Sequence, residues 1–301
     1  MKDEKLIAAL KIQSKALEEI RRYFRGKDFV EVMPVILSTT TDPLGPDPNS
    51  SIIKIPKIEC YDQELVVTQS MILQKQLLIY KGLEKLFVIS PNVRLEREDS
   101  GKSGRHLFEF SQADFEIAGA KKKDVMSFME GMFESVYSAV KKDCIKELSV
   151  WGRTLPKLET PFKVFTTYES EAEYGPDWED IMSKEATQPF WTLSHKREFY
   201  EREDPDKPGY FHNYDLVYPE GFGEALSGSE REWKYNVIVE KLTRDGLLDR
   251  YEPYLKFAKK GLISSAGAGF GVERLTRFLT GAKHIGDIQA FRRVPGESVI
   301  I

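Results

Sequence analysis

Arg94 and Glu96 stand two residues apart after the apolar run 86–89, so on a strand they share a face. The charge and two glycines of 97–104 suit a hairpin loop, with Arg105, His106 and Phe110 on its returning side. An arginine can hold a phosphate oxygen through forked, charge-assisted hydrogen bonds, and a phenylalanine ring can stack under a purine. A solvated surface hairpin has the same composition. A second cluster, Gly267-Ala268-Gly269-Phe270-Gly271, permits close backbone approach and runs into Glu273-Arg274-Leu275 and a helical segment. Gly269 and Gly271 would leave a flat floor for a base. Arg274 would stand near a helix N-terminus, where the dipole favours an anion. A structural turn reads the same way, and the glycine spacing differs from the dinucleotide fingerprint. The third cluster is Asp215, Glu224 and Ser227, on either side of the turn 219–223. Two carboxylates and a hydroxyl are hard oxygen donors suited to Mg²⁺ held between protein and triphosphate. Two ordinary surface acids are the plainer alternative. Arg231, four residues past Ser227, would reach the same pocket.

These residues need elements to carry them. Leu6, Leu10, Gln13, Leu17, Ile20 and Phe24 recur at steps of three and four, which predicts a helix ended by Gly26. The stretch 38–51, with three prolines and a glycine, excludes regular structure and is either an inert surface loop or a substrate lid. Strands are expected at 65–68, 86–89 and 110–117, the last placing Asp114 and Glu116 on one face. Helices are expected at 70–81 and 124–147. Residues 150–212 show no clear period. Strands mixed with helices, without regular βαβ alternation, point to an antiparallel sheet with helices packed on it.

The bulk composition sets limits. The 301 residues suffice for one large domain or two small ones. A net charge of −4 lacks the basic excess usual in proteins that live on nucleic acid, although a local basic patch remains compatible with it. Cys60 and Cys144 are the only cysteines, too few for a disulfide framework or a cysteine-rich zinc site. The charged start Met1-Lys2-Asp3-Glu4-Lys5 is not a signal peptide, and no apolar run is long enough to span a membrane, so a cytoplasmic protein is expected.

Together the clusters resemble a known family. Arg94-Leu95-Glu96 with Arg105-His106-Leu107-Phe108-Glu109-Phe110 resembles motif 2 of the class II aminoacyl-tRNA synthetases, Gly267 to Leu275 resembles motif 3, and Phe29-Val30-Glu31-Val32-Met33-Pro34 resembles motif 1. The stretches 214–224, 228–231 and 281–293 are similar to asparaginyl enzymes. Gln69-Ser70 and Lys75-Gln76 are similar to aspartyl enzymes, in which a lysine at this place reads a substrate carboxylate. The resemblance runs over nearly the whole chain with its motifs in the required order.

It implies an α+β fold, the class II synthetase-like antiparallel sheet flanked by helices, with 1–301 as a single catalytic domain. It implies that Arg94 and Arg274 are catalytic and grip the phosphates of ATP, that Phe110 stacks on adenine, and that Glu96, Arg105, His106, Gly269 and Gly271 complete the ATP site. Glu224 and Ser227 would hold Mg²⁺ with Asp215 close by. Lys75 and Arg231 would clamp a carboxylate of aspartate, Asp114 would face its ammonium group, and Ser70 and Ile72 would line the same pocket. Two cations there favour aspartate over asparagine, because a neutral amide would leave them unpaired. Two departures stand out: the family's second glutamine, which places the amino acid, is Ile72 here, and its Phe-Pro-Arg ending is Phe291-Arg292-Arg293.

Only 28 residues precede Phe29, where this branch normally carries an anticodon-binding OB-fold. The expectation is therefore an enzyme that does not bind tRNA. It resembles the archaeal-type asparagine synthetases related to asparaginyl-tRNA synthetase, which implies that aspartate and ATP form aspartyl adenylate and that ammonia then releases asparagine and AMP. The implied protein is a homodimer through the motif 1 helix, with no membrane partner. The alternatives are a truncated synthetase that transfers the amino acid to tRNA or another acceptor, and a regulatory module without catalysis. Arg94, Glu96, Glu224 and Arg274 argue against the last. Asp42 and Asp47 are candidates for the base that keeps ammonia unprotonated.

Overall fold

The computed structural model describes residues 3–44, 51–195 and 198–299. Its main sheet has eight strands in the spatial order β1 (Val30–Glu31), β6 (Lys85–Val93), β8 (Glu109–Ala118), β13 (Ser265–Gly271), β12 (Gly223–Glu230), β11 (Asn213–Tyr218), β10 (Phe190–Leu193) and β9 (Lys163–Thr166). The two outermost pairs, β1 with β6 and β9 with β10, are parallel, and every other neighbour is antiparallel. A small sheet joins β2 (Leu37–Ser38), β5 (Gln63–Val67) and β4 (Lys57–Cys60), and a short pair joins β3 (Ile52–Lys54) to β7 (Leu95–Glu96). The expected antiparallel sheet with flanking helices is the architecture found.

Strand alternation divides the main sheet into two faces. Phe87, Phe115, Ala268 and Gly228 are successive partners across four strands, and the first three are buried in the core. That face is covered by α1 (Glu4–Arg25), α3 (Lys122–Asp143) and α9 (Val272–Thr280), whose Ile12, Phe24, Met129, Phe133, Leu275 and Phe278 are buried against it. One residue along, Asp114, Gly269, Ser227 and Asp215 form a row on the opposite face, and Glu116, Gly267, Ser229 and Asn213 form the next. The register thus gathers polar residues from distant stretches onto one surface. A second apolar cluster closes over it. There Ile72 and Leu73 of α2 (Ile72–Tyr80) pack with Phe199, Tyr200, Tyr251 and Tyr254, near α7 (Tyr235–Arg244) and α8 (Glu252–Ala258).

Two expectations need correction. In α1 the buried stripe is Ala8, Ala9, Ile12, Ala16, Ile20 and Phe24, whereas Leu6, Leu10, Gln13 and Leu17 are only half-buried. Small alanines let α1 approach its neighbours α3, α4 (Ile145–Val150) and α9, so the larger leucines turn to the flank. The helix expected over 124–147 stops at Asp143 and restarts at Ile145 as α4. The loop 97–104 contains a 3-10 turn, Glu98–Ser103, closed by Gly104 at φ 69°, a left-handed value suited to glycine. The unreadable stretch 150–212 supplies β9, α5 (Thr167–Tyr174), α6 (Trp178–Glu185) and β10. No helix among the described residues is long and apolar enough to cross a membrane.

Candidate active site

Two cavities open on the polar face and share Arg94, Gln112, Glu224 and Gly269 in their walls. The first gathers Arg94, Glu96, Arg105, His106, Phe110, Gly269, Gly271 and Arg274, all the residues expected to hold a nucleotide. The end of β6 and the start of β8 set Arg94 beside Phe110, with the guanidinium carbon 5.2 Å from the ring centroid. The Nε of Arg94 also donates to the carbonyl of Gln69 at 3.3 Å. Glu96 and His106 face each other across the short loop, His106 Nδ1 lying 2.6 Å from Glu96 Oε2. Burial opposes the charge on Glu96, but His106 and Arg94 outweigh it and hold the carboxyl below its ordinary pKa. Arg274, in the first turn of α9, pairs with Glu224 at 3.1 Å.

The second cavity, of about 370 Å³, contains Ser70, Ile72, Lys75, Asp114, Ser227 and Arg231. Lys75 is buried and donates to Asp114 Oδ1 at 2.8 Å and to the carbonyl of Ala268 at 3.3 Å. Arg231 donates through Nε and Nη2 to the two carboxylate oxygens of Glu116, at 3.0 and 3.1 Å, and through Nη1 to Ser229 at 2.7 Å. Burial works against its charge, but Glu116 outweighs that and raises its pKa. The expected pair of cations is therefore present, each with its own acid partner. Asp114 is not an isolated ammonium contact but the partner of Lys75. Three of the five N–H donors of Arg231 are occupied by these bonds.

Gly269 and Gly271 line the first cavity, where a floor for a base was expected, and Gly267 and Gly269 have a further task. A Cβ on Gly269 would lie 2.6 Å from Asp114 Oδ1, and one on Gly267 would lie 2.3 Å from Glu116 Oε2. They make room for the two acids that stand beside them in the register, although Gly269 also lines both cavities. Ile72 holds a double position: it lines the cavity and belongs to the apolar cluster over it.

The oxygen donors separate. Glu224 and Ser227 line the same cavity, which suits a small hard cation held largely by phosphate oxygens. Asp215 faces Ser227 in the ladder but is buried, lines neither cavity, and lies 3.5 Å from His195 Nε2. No cluster of three or more histidine, cysteine or acidic side chains among the described residues forms a metal cage.

Several residues in and behind the cavity walls had a small role or none in the sequence reading. Glu116 was legible only as the residue sharing a face with Asp114. Tyr200, Glu198 and Glu201 also line the second cavity and come from a stretch without periodicity. Asp42 accepts from Ser70 at 2.7 Å and from Tyr200 at 3.2 Å, and burial raises its carboxyl above the ordinary value against the opposing Arg94, Ser70 and Tyr200. Thr41 is pinned as well, its hydroxyl by the N–H of Gln69 and its carbonyl by Tyr251. Residues 40–42 are thus buried, with Asp42 in the cavity wall, while Asp47 and the rest of 45–50 lie outside the described residues.

Residues 1–295 match the family model for class II tRNA synthetases (D, K and N). An aspartate–tRNA(Asp/Asn) ligase of Methanopyrus kandleri is 30% identical over 305 residues, covering 95% of this chain and 67% of its own. An asparagine–tRNA ligase of Pyrococcus abyssi is 28% identical over 315 residues, covering 98% and 70%. The crystal structure of asparaginyl-tRNA synthetase from Pyrococcus horikoshii complexed with asparaginyl-adenylate has a TM-score of 0.86 at 26% identity, covering 98% of this chain and 70% of that one. These relatives are tRNA ligases, so the expectation that tRNA binding is absent is at odds with them.

Proposed function

This chain belongs to the class II tRNA synthetases (D, K and N), and from that premise we propose that it activates aspartate with ATP as aspartyl adenylate. The observation that carries this reading is the contact between the two cavities: the wall holding Lys75 and Arg231 meets the wall holding Arg105 and Arg274 at Arg94, Gln112, Glu224 and Gly269. An amino acid in one cavity would present a carboxylate to a nucleotide in the other. That the Pyrococcus horikoshii relative holds an asparaginyl adenylate supports the same chemistry.

In this reading Lys75 and Arg231 orient aspartate through their remaining donors while Asp114 and Glu116 hold both cations in place. A carboxylate oxygen attacks the α-phosphorus, the bond to the β-phosphate oxygen breaks, and pyrophosphate leaves. Arg94 and Arg274 bind the phosphates and stabilise the charge that builds on them, an electrostatic and positioning task. Phe110 stacks on adenine, and Glu96 with His106 holds the nucleoside side. Glu224 and Ser227 would hold Mg²⁺, which supplies Lewis acidity at the phosphate oxygens. The relatives favour tRNA as acceptor of the activated amino acid.

A second reading is favoured by Ile72. With no amide there to orient the amino acid, nearly pseudo-symmetric aspartate can present its β-carboxylate, and ammonia then releases asparagine and AMP. One assay separates the acceptors: incubate with aspartate, ATP and Mg²⁺, add either ammonium or tRNA, and measure AMP, free asparagine and charged tRNA. Asparagine formed without tRNA supports the second reading, and tRNA-dependent AMP supports the first. Absence of aspartate-dependent ATP–pyrophosphate exchange sinks both.

We also infer a homodimer. Val30, Met33, Val35, Ile36 and Leu37 form an exposed apolar run just past α1, with Met33 86% exposed. Sedimentation of Met33→Asp as a monomer, against a dimeric parent, is the expected result.

A further inference from the structure

Arg105 lines the nucleotide cavity, yet its guanidinium is turned to Glu179, 3.0 Å away in the first turn of α6. Glu179 itself lines neither cavity. The pair rests on a seat shaped for it. A Cβ on Gly223 would come within 2.5 Å of Arg105 Nη1 and 3.5 Å of Glu179 Oε1, so a side chain there would push the two apart. Gly223 also has φ 73°, which glycine tolerates best. The adjoining carbonyl of Phe222 accepts from Arg277 at 3.3 Å, which steadies the seat.

The backbone beside Arg105 is held too. The N–H of Ile285 donates to the carbonyl of Gly104 at 2.8 Å, and the N–H of Arg105 donates to Ser103 Oγ at 3.3 Å. Movement is therefore left to the side chain. Its side-chain exposure is 39% and that of Glu179 is 28%, so the pair is of the exchangeable, partly solvated kind. Burial first, and then the nearby charges of Arg105 and Arg274, lower the pKa of Arg277 to about 10, so three arginines stand close together beside this cavity. Among so many cations, a carboxylate partner relieves repulsion while no phosphate is present.

We propose that Glu179 is an internal counter-ion which the β- and γ-phosphates of ATP displace from Arg105, and which takes Arg105 back as pyrophosphate leaves. Glu179 is then a positioning residue: it acts through Arg105 and lowers affinity for both polyphosphates without touching adenosine or AMP. The inference rests on the adenylation reading above.

The test compares the parent with Glu179→Gln in calorimetric binding of ATP, pyrophosphate and AMP, and in aspartate-dependent exchange. The amide keeps the size of the side chain and removes its charge. ATP and pyrophosphate are expected to bind about threefold more tightly, the scale of one partly solvated ion pair, with AMP unchanged. In an Arg105→Gln background the same substitution is expected to change nothing. Unchanged or weaker ATP and pyrophosphate binding, or an equal gain for AMP, overturns the proposal. Melting temperature guards against a folding artefact, and Glu179→Ala repeats the comparison if the amide still hydrogen-bonds Arg105. A parent that binds ATP but shows no exchange defeats the adenylation reading instead, and the binding comparison still decides the role of Glu179.

Discussion

Lys75 Nζ lies 2.8 Å from Asp114 Oδ1 with both side chains buried, so the cation proposed to read a substrate carboxylate already has an acid partner. Two buried charges of opposite sign hold one another in place at little net gain, and removing either leaves the other uncompensated. In the proposed reading this lysine is therefore both a contact for the substrate carboxylate and a structural charge.

Those two roles separate in a double-mutant comparison. Lys75→Met is expected to lower stability by ~3 kcal/mol, because Asp114 is left buried without its partner. Adding Asp114→Asn should recover much of that loss in urea unfolding but should not restore aspartate-dependent exchange. If exchange returns with stability, Lys75 has only a structural part.

Glu224 and Ser227 share a cavity wall, and Asp215 does not. Ser227→Ala and Glu224→Gln are expected to raise the Mg²⁺ concentration needed for half-maximal exchange by about tenfold, a scale typical of disturbed metal sites. Asp215→Asn is expected to leave that requirement unchanged and to lower the melting temperature, since it removes a buried charge beside His195. A shifted Mg²⁺ requirement in Asp215→Asn would return this residue to the metal site.

Glu273 gives a pH dependence. Burial raises its carboxyl from the ordinary 4.5 to about 7, against the N–H of Ser111 that it accepts at 2.9 and 3.0 Å. Between those two values the folded chain keeps a proton that the unfolded chain has released. This contribution to stability is complete below pH 4.5, is lost as pH rises towards 7, and is flat above. The slope is at most about 1.4 kcal/mol per pH unit. Glu273→Gln should flatten it in urea unfolding at pH 5, 6, 7 and 8. An unchanged slope in the variant contradicts the assignment.

Local chemistry was legible in the chain: which residues can bind phosphate, which stretches alternate as strands, and that Asp114 and Glu116 share a face. Those follow from side-chain type and from the period of two, which need no tertiary information. The mixture of strands and helices without regular βαβ alternation already pointed to an antiparallel sheet with helices packed on it, and the resemblance of the motifs agreed. The stripe on α1 was misplaced because leucines signal apolar character, while close helix packing selected the alanines. Tertiary structure alone decided which acid meets which cation. Register sets Gly269 beside Asp114 and Gly267 beside Glu116, and those missing side chains leave space for the acids that engage Lys75 and Arg231. Glu179 reaches Arg105 from 74 residues away, a contact no local pattern encodes. Sequence reports what a side chain can do, but pairing depends on distance through space, and that is settled only when the strands lie side by side.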